Sequence, residues 1–596
     1  MSAAAPSTDT DANATRPPGQ HALRVWPCLL LIGVAVSCAY SGSLNGPFVL
    51  DDIESIPGNP SIRRLWPLSE VLTGATFATV VGRPLLNLSL ALDFALHGTE
   101  VRGYHLFNIL AHILAGWALF GVVHRTLQLT RYREKYSPKQ ALGFATVAAL
   151  LWTLHPLATA AVTYIVQRGE VLAALWSLTA LYCSIRGAEA SSSRSRFWNG
   201  LAVVCCFIGV GTKETIVTAP LVILLYDTTF LAGSIKRALR QRSSMYLGLF
   251  GSWIALAALM KTSAGRSGTA GIGYGMNPLD YAVSQFGYVL TYLKLSIWPH
   301  PLIFDYGDTL ATTPAEFVIP GVILLILMGV LLAAARRWPV VGFLGISTFL
   351  ILAPTSTIVP LVTQTAAEHR MYLPLAAVVT LMTLTVASVV EKIFRVDDPR
   401  RAKTLLSLAA VSALVLAGAT WLRNRDYHTE ETLWFDTVQK RPVNARSHNN
   451  LGRVYLEQGK RGAREELEAA LRLNPQDPAV IWHNLGLACF KQQDFLAALH
   501  SFNEAIAFRP RHVPSYVARS QVYGALRNDR DELSDLNRAI ELDSRNGEAY
   551  LHRALLHADQ SRYSAAWSDL QRAQRLGTQP PAGFVEQLRD LSPEPK

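Results

Sequence analysis

The sequence predicts an all-α protein in two parts. A polytopic membrane domain of about eleven helices comes first, and a superhelix of paired helices follows it. Three observations lead there. Of 596 residues, 50% are hydrophobic and only 17% charged, against about 25% charged in soluble domains. The mean hydropathy of +0.21 averages two unlike parts, because long apolar runs fill 25–422 while 423–596 reads as water-soluble helix. Finally, His448, Trp482, Tyr516 and Tyr550 recur at a spacing of 34 residues. A single soluble enzyme is excluded. A secreted disulfide scaffold is excluded too, since five of the six Cys (Cys28, Cys38, Cys183, Cys205, Cys206) lie in apolar runs without CxxC or metal-ligand spacing. The net charge of +11 is no sign of nucleic acid, because much of it can serve membrane topology.

In chain order, 1–24 is rich in Ala, Pro, Ser, Thr and Asp and reads as a disordered cytoplasmic tail. The run 25–44 lacks a small-residue cleavage site and reads as an uncleaved first span. A crossing takes about 20 mostly apolar residues. Further candidates are 104–124, 141–157, 168–186, 245–260, 317–335, 339–353, 371–390 and 404–422. The stretch 197–231 is too long for one helix and is interrupted by Lys213 and Glu214, so it splits into crossings near 198–211 and 214–230.

Cytoplasmic turns should be rich in Lys and Arg. His124–Gln140 holds five with one acid, Leu231–Ser244 four with none, and Glu391–Lys403 five with three. Eleven crossings put these turns on one side. The loop 45–103 and the soluble part 423–596 then lie outside, in the periplasm or its equivalent such as the ER lumen. The loop Pro299–Glu316, with three acids and no Lys or Arg, fits that side. Pro84–His97 is too short to cross and carries Asp93, and Tyr281–Trp298 carries Lys294. Both read as outer-surface or re-entrant helices.

The 34-residue repeat is the tetratricopeptide pattern of helix pairs. Leu451-Gly452 and Leu485-Gly486 follow the first two repeat markers, and Arg519-Ser520 and Arg553-Ala554 replace them in the last two. Ala470, Ala505, Ala539 and Ala573 mark the second helices, and Pro475 and Pro510 close the first two repeats. Such arrays expose a concave groove suited to extended peptides. The groove names no activity, and a generic docking array is as good a reading as substrate selection.

Several polar groups gather at the outer ends of the predicted spans. Asp51 and Asp52 lie just beyond the first membrane exit. One carboxylate there can deprotonate an acceptor hydroxyl, with its pKa raised by burial and by its neighbour. A pair of acids can also hold a hard cation. His105, Asn108 and His112 share one helix face, which suits hydrogen bonding between helices as well as a site. Zinc ligation lacks a matching acid or Cys. His155-Pro156 ends the third span. Arg168 with Glu170, and Lys213 with Glu214, stand at outer helix ends, where they form ion pairs, reach head groups, or hold a lipid phosphate. Arg370, after Glu368 and His369, is the best phosphate candidate, because a guanidinium grips phosphate oxygens bidentately. Arg83 is a further cation of this set. The glycine-rich stretch Gly265–Gly275 reads as an outer connector or gate, and no nucleotide-binding fingerprint is present.

Taken in order, these blocks resemble one family. They are Phe48–Asp52, Arg83-Pro84-Leu85, Tyr104–Asn108 with His112, His155-Pro156, Arg168–Glu170, Lys213-Glu214-Thr215, Tyr226-Asp227, Trp298-Pro299, Arg370–Pro374, Arg423–His428, Glu430–Leu433 and Asn450-Leu451-Gly452. The chain resembles the transmembrane and tetratricopeptide-repeat O-mannosyltransferases, the TMTC family, in the form of a bacterial relative. The resemblance implies a GT-C membrane glycosyltransferase that takes a sugar, commonly mannose, from a polyprenyl phosphate. It implies transfer to Ser or Thr of a polypeptide with inversion, on the non-cytoplasmic side and without a metal or other cofactor. The family's acidic motif falls on Asp51-Asp52. Donor phosphate would fall to Arg370, Arg83, Arg168 and Lys213, supported by His105, Asn108, His112, His155, Glu170, Glu214 and Glu368. The partners implied are the lipid-linked sugar, membrane lipids and an acceptor chain held by the repeat groove, with no nucleic acid. The array of about four repeats is shorter than in animal members, and His369 stands between acid and Arg in the second motif. A scaffold with no chemistry is the alternative, though a mere anchor gains nothing from so many polar groups near one surface. A transporter is disfavoured because the membrane half shows no internal repeat.

Overall fold

The computed structural model describes residues 25–74, 79–262, 277–307, 309–356, 364–395, 398–475 and 477–594. The expectations for 1–24 and for Gly265–Gly275 lie outside them. The described residues form helices and turns, with no strand among them.

Each of the eleven apolar segments is helical. Seven described helices are long and apolar enough to cross a membrane: Val101–Leu127, Ile165–Glu189, Glu214–Leu231, Ser243–Lys261, Pro314–Arg337, Glu368–Ile393 and Pro399–Arg425. An eighth is the pair Pro138–Thr153 and Pro156–Thr163, bent by 53°. The bend falls at His155-Pro156, where proline removes an amide donor and crowds the preceding turn. Trp26–Ala39 and Pro339–Thr355 are apolar but shorter. Ser192–Val210 begins with Arg194 and Arg196 and ends at the predicted break before Lys213. The two segments read as non-crossing are the helices Pro84–His97 and Pro278–Ile297.

Apolar side chains on the outermost helices stay uncovered. Leu325 and Leu414 are each 74% exposed. In water such surface would cost about 25 cal/mol per Å², so the bilayer is the solvent that these faces require.

The Pro84–His97 helix is fastened to the break between two spans. Its first amides, Leu85 N and Leu86 N, both donate to the Gly211 carbonyl, at 2.8 and 3.2 Å. Helix-start amides lack intrahelical partners, so a carbonyl from outside satisfies them. A Cβ at Gly211 would lie 2.7 Å from Leu85 Cγ, which is why glycine stands there.

Four helix pairs follow: Ala445–Glu457 with Ala463–Arg472, Ala479–Lys491 with Phe495–Phe508, Val513–Ala525 with Asp529–Leu542, and Gly547–Asp559 with Tyr563–Arg575. Phe584–Leu591 closes the stack. The Leu-to-Arg change in the last two repeats has a physical reason. Arg519 grips Asp535 bidentately at 2.7 and 2.7 Å, and Arg553 grips Asp569 at 2.7 and 2.8 Å. The corresponding positions in the first two repeats hold Leu451 with Glu466 and Leu485 with Ser501. Only the last two repeats place an arginine in the first helix where it can pair with the carboxylate of the second.

The array is docked on the membrane domain through the motif Arg423–His428. Asn424 donates to Ala39 O at 3.2 Å and accepts from Thr163 Oγ1 at 2.6 Å. Arg423 meets Asp426 at 2.9 Å and Asp436 at 3.0 Å. Phe304, from the outer loop, packs edge-on against Tyr427 and Trp434.

Replacing one partner of the Arg519–Asp535 pair leaves a nearly buried charge uncompensated, which costs about 3 kcal/mol. Arg519→Leu should therefore lower the melting temperature clearly. Arg519→Leu/Asp535→Ser, which copies the second repeat, should recover most of the loss by differential scanning fluorimetry.

Candidate active site

The acidic turn is built on a strained residue. Leu50 adopts φ +44°, ψ −114°, and the short helix Asp51–Ser55 starts directly after it. Such a conformation costs of order 1–3 kcal/mol and persists where its surroundings impose it. Here the surroundings are visible. His105 Nε2 donates to Gly46 O at 3.0 Å, and Phe48 packs edge-on against Tyr104.

The two aspartates differ in what they touch. Asp52 is fully buried. Its Oδ2 accepts from Val49 N at 3.1 Å, and its Oδ1 accepts from Val166 N at 2.7 Å. It thus ties the acidic turn to the start of the Ile165–Glu189 span. Asp51 is partly exposed, and its backbone N–H donates to the Tyr164 hydroxyl at 3.0 Å. Burial pushes the Asp52 carboxyl up to about 8, against the pull of its two amide donors. Burial raises Asp51 as well, and Glu54 adds to the rise while Arg83 and Arg446 oppose it.

The polar helix face predicted from His105, Asn108 and His112 braces this turn from behind. Asn108 Nδ2 donates to Val162 O at 2.9 Å and Ile165 O at 3.2 Å. His112 bonds Tyr372 OH at 2.5 Å and Thr153 O at 2.9 Å. His155 bonds Ser296 O at 3.2 Å and accepts from Leu157 N at 3.2 Å. All four side chains are buried and engage mainly backbone carbonyls at helix breaks. They hold the geometry of the outer surface.

The predicted cations fall into three settings. Arg83 donates to Glu214 from Nε at 3.3 Å and from a terminal nitrogen at 3.2 Å. Lys213 pairs with Glu170 at 3.0 Å and donates to Gln167 Oε1 at 3.2 Å. Arg168 is wholly buried, paired with Asp93 at 2.6 Å and lying over the Phe107 ring. Arg370 is different. It donates to Tyr281 OH at 3.3 Å and to the carbonyls of Thr355, Thr365 and Gln364 at 3.2, 2.9 and 2.5 Å. All of these acceptors are neutral, and no carboxylate among the described residues pairs with it. Arg83, Lys213 and Arg370 lie within electrostatic reach of His369, and Arg83 also of Asp51. One neighbourhood therefore holds Asp51, Arg83, Glu214, Lys213, Glu170, His369 and Arg370. Arg168 stands behind Asp52 instead.

Glu368 holds the outer loop. Its Oε1 accepts from Ile303 N at 2.5 Å and Tyr306 OH at 3.1 Å, and Arg423 lies 3.8 Å from Oε2.

Three residues here escaped the sequence reading: Tyr164, Asp305 and Arg446. Arg446, from the first repeat helix, pairs with Asp305 of the outer loop at 3.1 Å. Asn444 caps that helix and donates to Asp305 O at 2.9 Å. The repeat array thus reaches the acidic turn itself. Val49, Tyr164, Phe304, Trp434 and Leu451 share one apolar cluster. No local motif marks these residues, since their partners lie more than a hundred positions away.

Comparison with known proteins agrees with this architecture. Residues 460–512 match the family model described as Tetratricopeptide repeat. A protein O-mannosyl-transferase of Caenorhabditis elegans is 25% identical over 471 residues, covering 75% of this chain and 62% of its own. Protein O-mannosyl-transferase TMTC4 of Mus musculus is 25% identical, covering 73% and 64%, and TMTC1 of Homo sapiens is 26% identical, covering 77% and 56%. The chain spans less than two thirds of the length of these curated relatives. A solved ArnT from Cupriavidus metallidurans, bound to undecaprenyl phosphate, aligns at 15% identity over 82% of this chain and 80% of that one. Its TM-score of 0.39 is too low to carry an argument. Over some three quarters of its length, the chain is similar to proteins named protein O-mannosyl-transferases, TMTC4 and TMTC1 among them, and it carries tetratricopeptide repeats behind its membrane helices.

Proposed function

We propose that the protein is an inverting glycosyltransferase that moves a sugar, mannose by its relatives' names, from a polyprenyl phosphate to Ser or Thr of a polypeptide on the outer face. The observation that carries the reading is the division of labour in the acidic pair. Both oxygens of Asp52 are taken by amides, while Asp51 stays partly exposed beside Arg83.

In the step proposed, the acceptor hydroxyl gives its proton to the Asp51 carboxylate. The oxygen then attacks the anomeric carbon from the face opposite the phosphate. The carbon–oxygen bond to phosphate breaks, and polyprenyl phosphate leaves with the electron pair. A base held above the ordinary carboxylate range accepts the proton better, provided that it is ionised at the working pH. Arg370, which forms no ion pair with a described carboxylate, anchors the leaving phosphate, and Arg83 and Lys213 add field beside it. No cofactor is needed for this step. The repeat array, tied to the acidic turn by Arg446 and Asp305, holds the acceptor chain and raises its local concentration.

Transfer from radiolabelled polyprenyl-phosphate mannose by the purified protein tests the reading. Asp51→Asn should reduce turnover by about 10²-fold or more with an unchanged melting temperature. Asp52→Asn should also lose transfer, but it should melt lower, because its NH₂ would face an amide donor. Full transfer by Asp51→Asn would sink the assignment, and wild type that neither transfers nor binds the lipid would favour a scaffold.

The pH dependence has a fixed sign. The base works only when ionised, and burial raises Asp51 above its usual 3.8. The rate should therefore rise with pH through a point above 3.8, and the residual activity of Asp51→Asn should lack that limb.

Arg446→Ala should raise KM for a polypeptide acceptor more than it lowers kcat. Equal KM values for wild type and variant would detach the array from acceptor binding.

A further inference from the structure

One cavity lies remote from the acidic turn. It occupies about 700 Å³ among the Val101–Leu127, Ile165–Glu189, Glu214–Leu231, Pro339–Thr355 and Glu368–Ile393 helices. Its wall is mostly apolar, with Leu119, Leu178, Phe343 and Leu381 among the lining residues. On the last helix the lining runs from Leu373 to Lys392, about 28 Å at 1.5 Å per residue. A slot of that depth follows much of the hydrocarbon thickness of about 30 Å.

The mouth is cationic. Arg131, Lys135, Arg337 and Lys392 line it, and no acid is among the lining residues. Each of the four is exposed. None forms an ion pair with a described carboxylate. Arg131 donates only weakly to Thr229 O at 3.4 Å, and Lys135 and Arg337 lie over the neighbouring rings of Tyr136 and Trp338. These cations come from three separate turns that the topology brings to one opening. Tyr132, Tyr136 and Trp338 also line the cavity, and such aromatics favour the head-group level of a bilayer. Lys392 and Arg370 sit at opposite ends of one helix, so the mouth faces the membrane surface away from the acidic turn.

We propose that this cavity holds an anionic phospholipid of the cytoplasmic leaflet, with its phosphate on the four cations and its acyl chains in the apolar slot. The shared chemistry is a phosphate head on a long apolar chain. Bulk phospholipid surrounds the protein in large excess over any carrier lipid, so mass action favours it. Four cations gathered without an ion-pair partner among the described residues repel one another, and an anionic head relieves that repulsion. Basic openings between membrane helices on the cytoplasmic side bind acidic head groups for this reason. The site is independent of the glycosyl-transfer reading.

A charge-matched control separates a built site from general attraction. Arg194, Arg196, Lys236 and Arg240 are equally exposed cations on the same predicted side but do not line the cavity. The full chain is purified in nanodiscs of phosphatidylcholine with or without phosphatidylglycerol. Retained lipid is read by native mass spectrometry and stability by scanning fluorimetry. Wild type should retain phosphatidylglycerol and melt higher in its presence. The variant R131Q/K135Q/R337Q/K392Q should lose at least about tenfold in retention, while R194Q/R196Q/K236Q/R240Q should keep it. Equal loss in both variants, or no retention by wild type, would overturn the proposal. Undecaprenyl phosphate is added as a competitor. Its retention in place of phosphatidylglycerol, with the same dependence on the four cations, would overturn the phospholipid assignment.

Discussion

The outer surface depends on one buried carboxylate. Asp52 accepts the amides of Val49 and Val166, residues that lie on two different membrane helices' outer extensions. A buried carboxylate is tolerated only where donors meet it, and here the donors are backbone groups that cannot turn away. The consequence is geometric. The strained Leu50, the exposed edge of Asp51 and the Tyr164 hydroxyl are all referred to the same span. Asn108 fixes that span's entry from the other side through Val162 and Ile165.

The second constraint is the seam between membrane domain and repeats. The last span does not simply end and release a soluble domain. Thr420 donates to Leu154 O, Asn424 bridges Ala39 and Thr163, and Arg423 sits among Glu368, Asp426 and Asp436. Through Glu368 the same seam reaches Ile303 and Tyr306, and through Asp305 it reaches Arg446. The outer loop is therefore clamped between the last span and the first repeat. An acceptor chain held by the array would lie on a platform in fixed register with the acidic turn.

The periodic part of this was legible in the sequence. Apolar runs of span length and a 34-residue repeat follow from burial and helix pitch, which are local properties. The break at Gly211–Lys213 was legible because two charges interrupt a long apolar run. What escaped was pairing across distance. Asp51 and Asp52 are chemically identical in the sequence, and only the amide of Val166, more than a hundred residues on, distinguishes them. His105, Asn108 and His112 signalled a polar helix face, but not that backbone carbonyls at helix breaks were their partners. In the sequence, Arg519 and Arg553 stand only as departures from Leu in the last two repeats. They make sense once Asp535 and Asp569 are placed opposite them. Arg446 carried no signal at all, because its role depends on a loop from the other domain.

The most direct test of the central claim is a structure of the protein with a non-transferable polyprenyl-phosphate mannose analogue. The account predicts the analogue's phosphate on the Arg370 guanidinium, with Arg83 and Lys213 nearby, and the anomeric carbon open toward the Asp51 carboxylate across a gap that admits a hydroxyl. A sugar seated away from Asp51, or a phosphate held without Arg370, would contradict it.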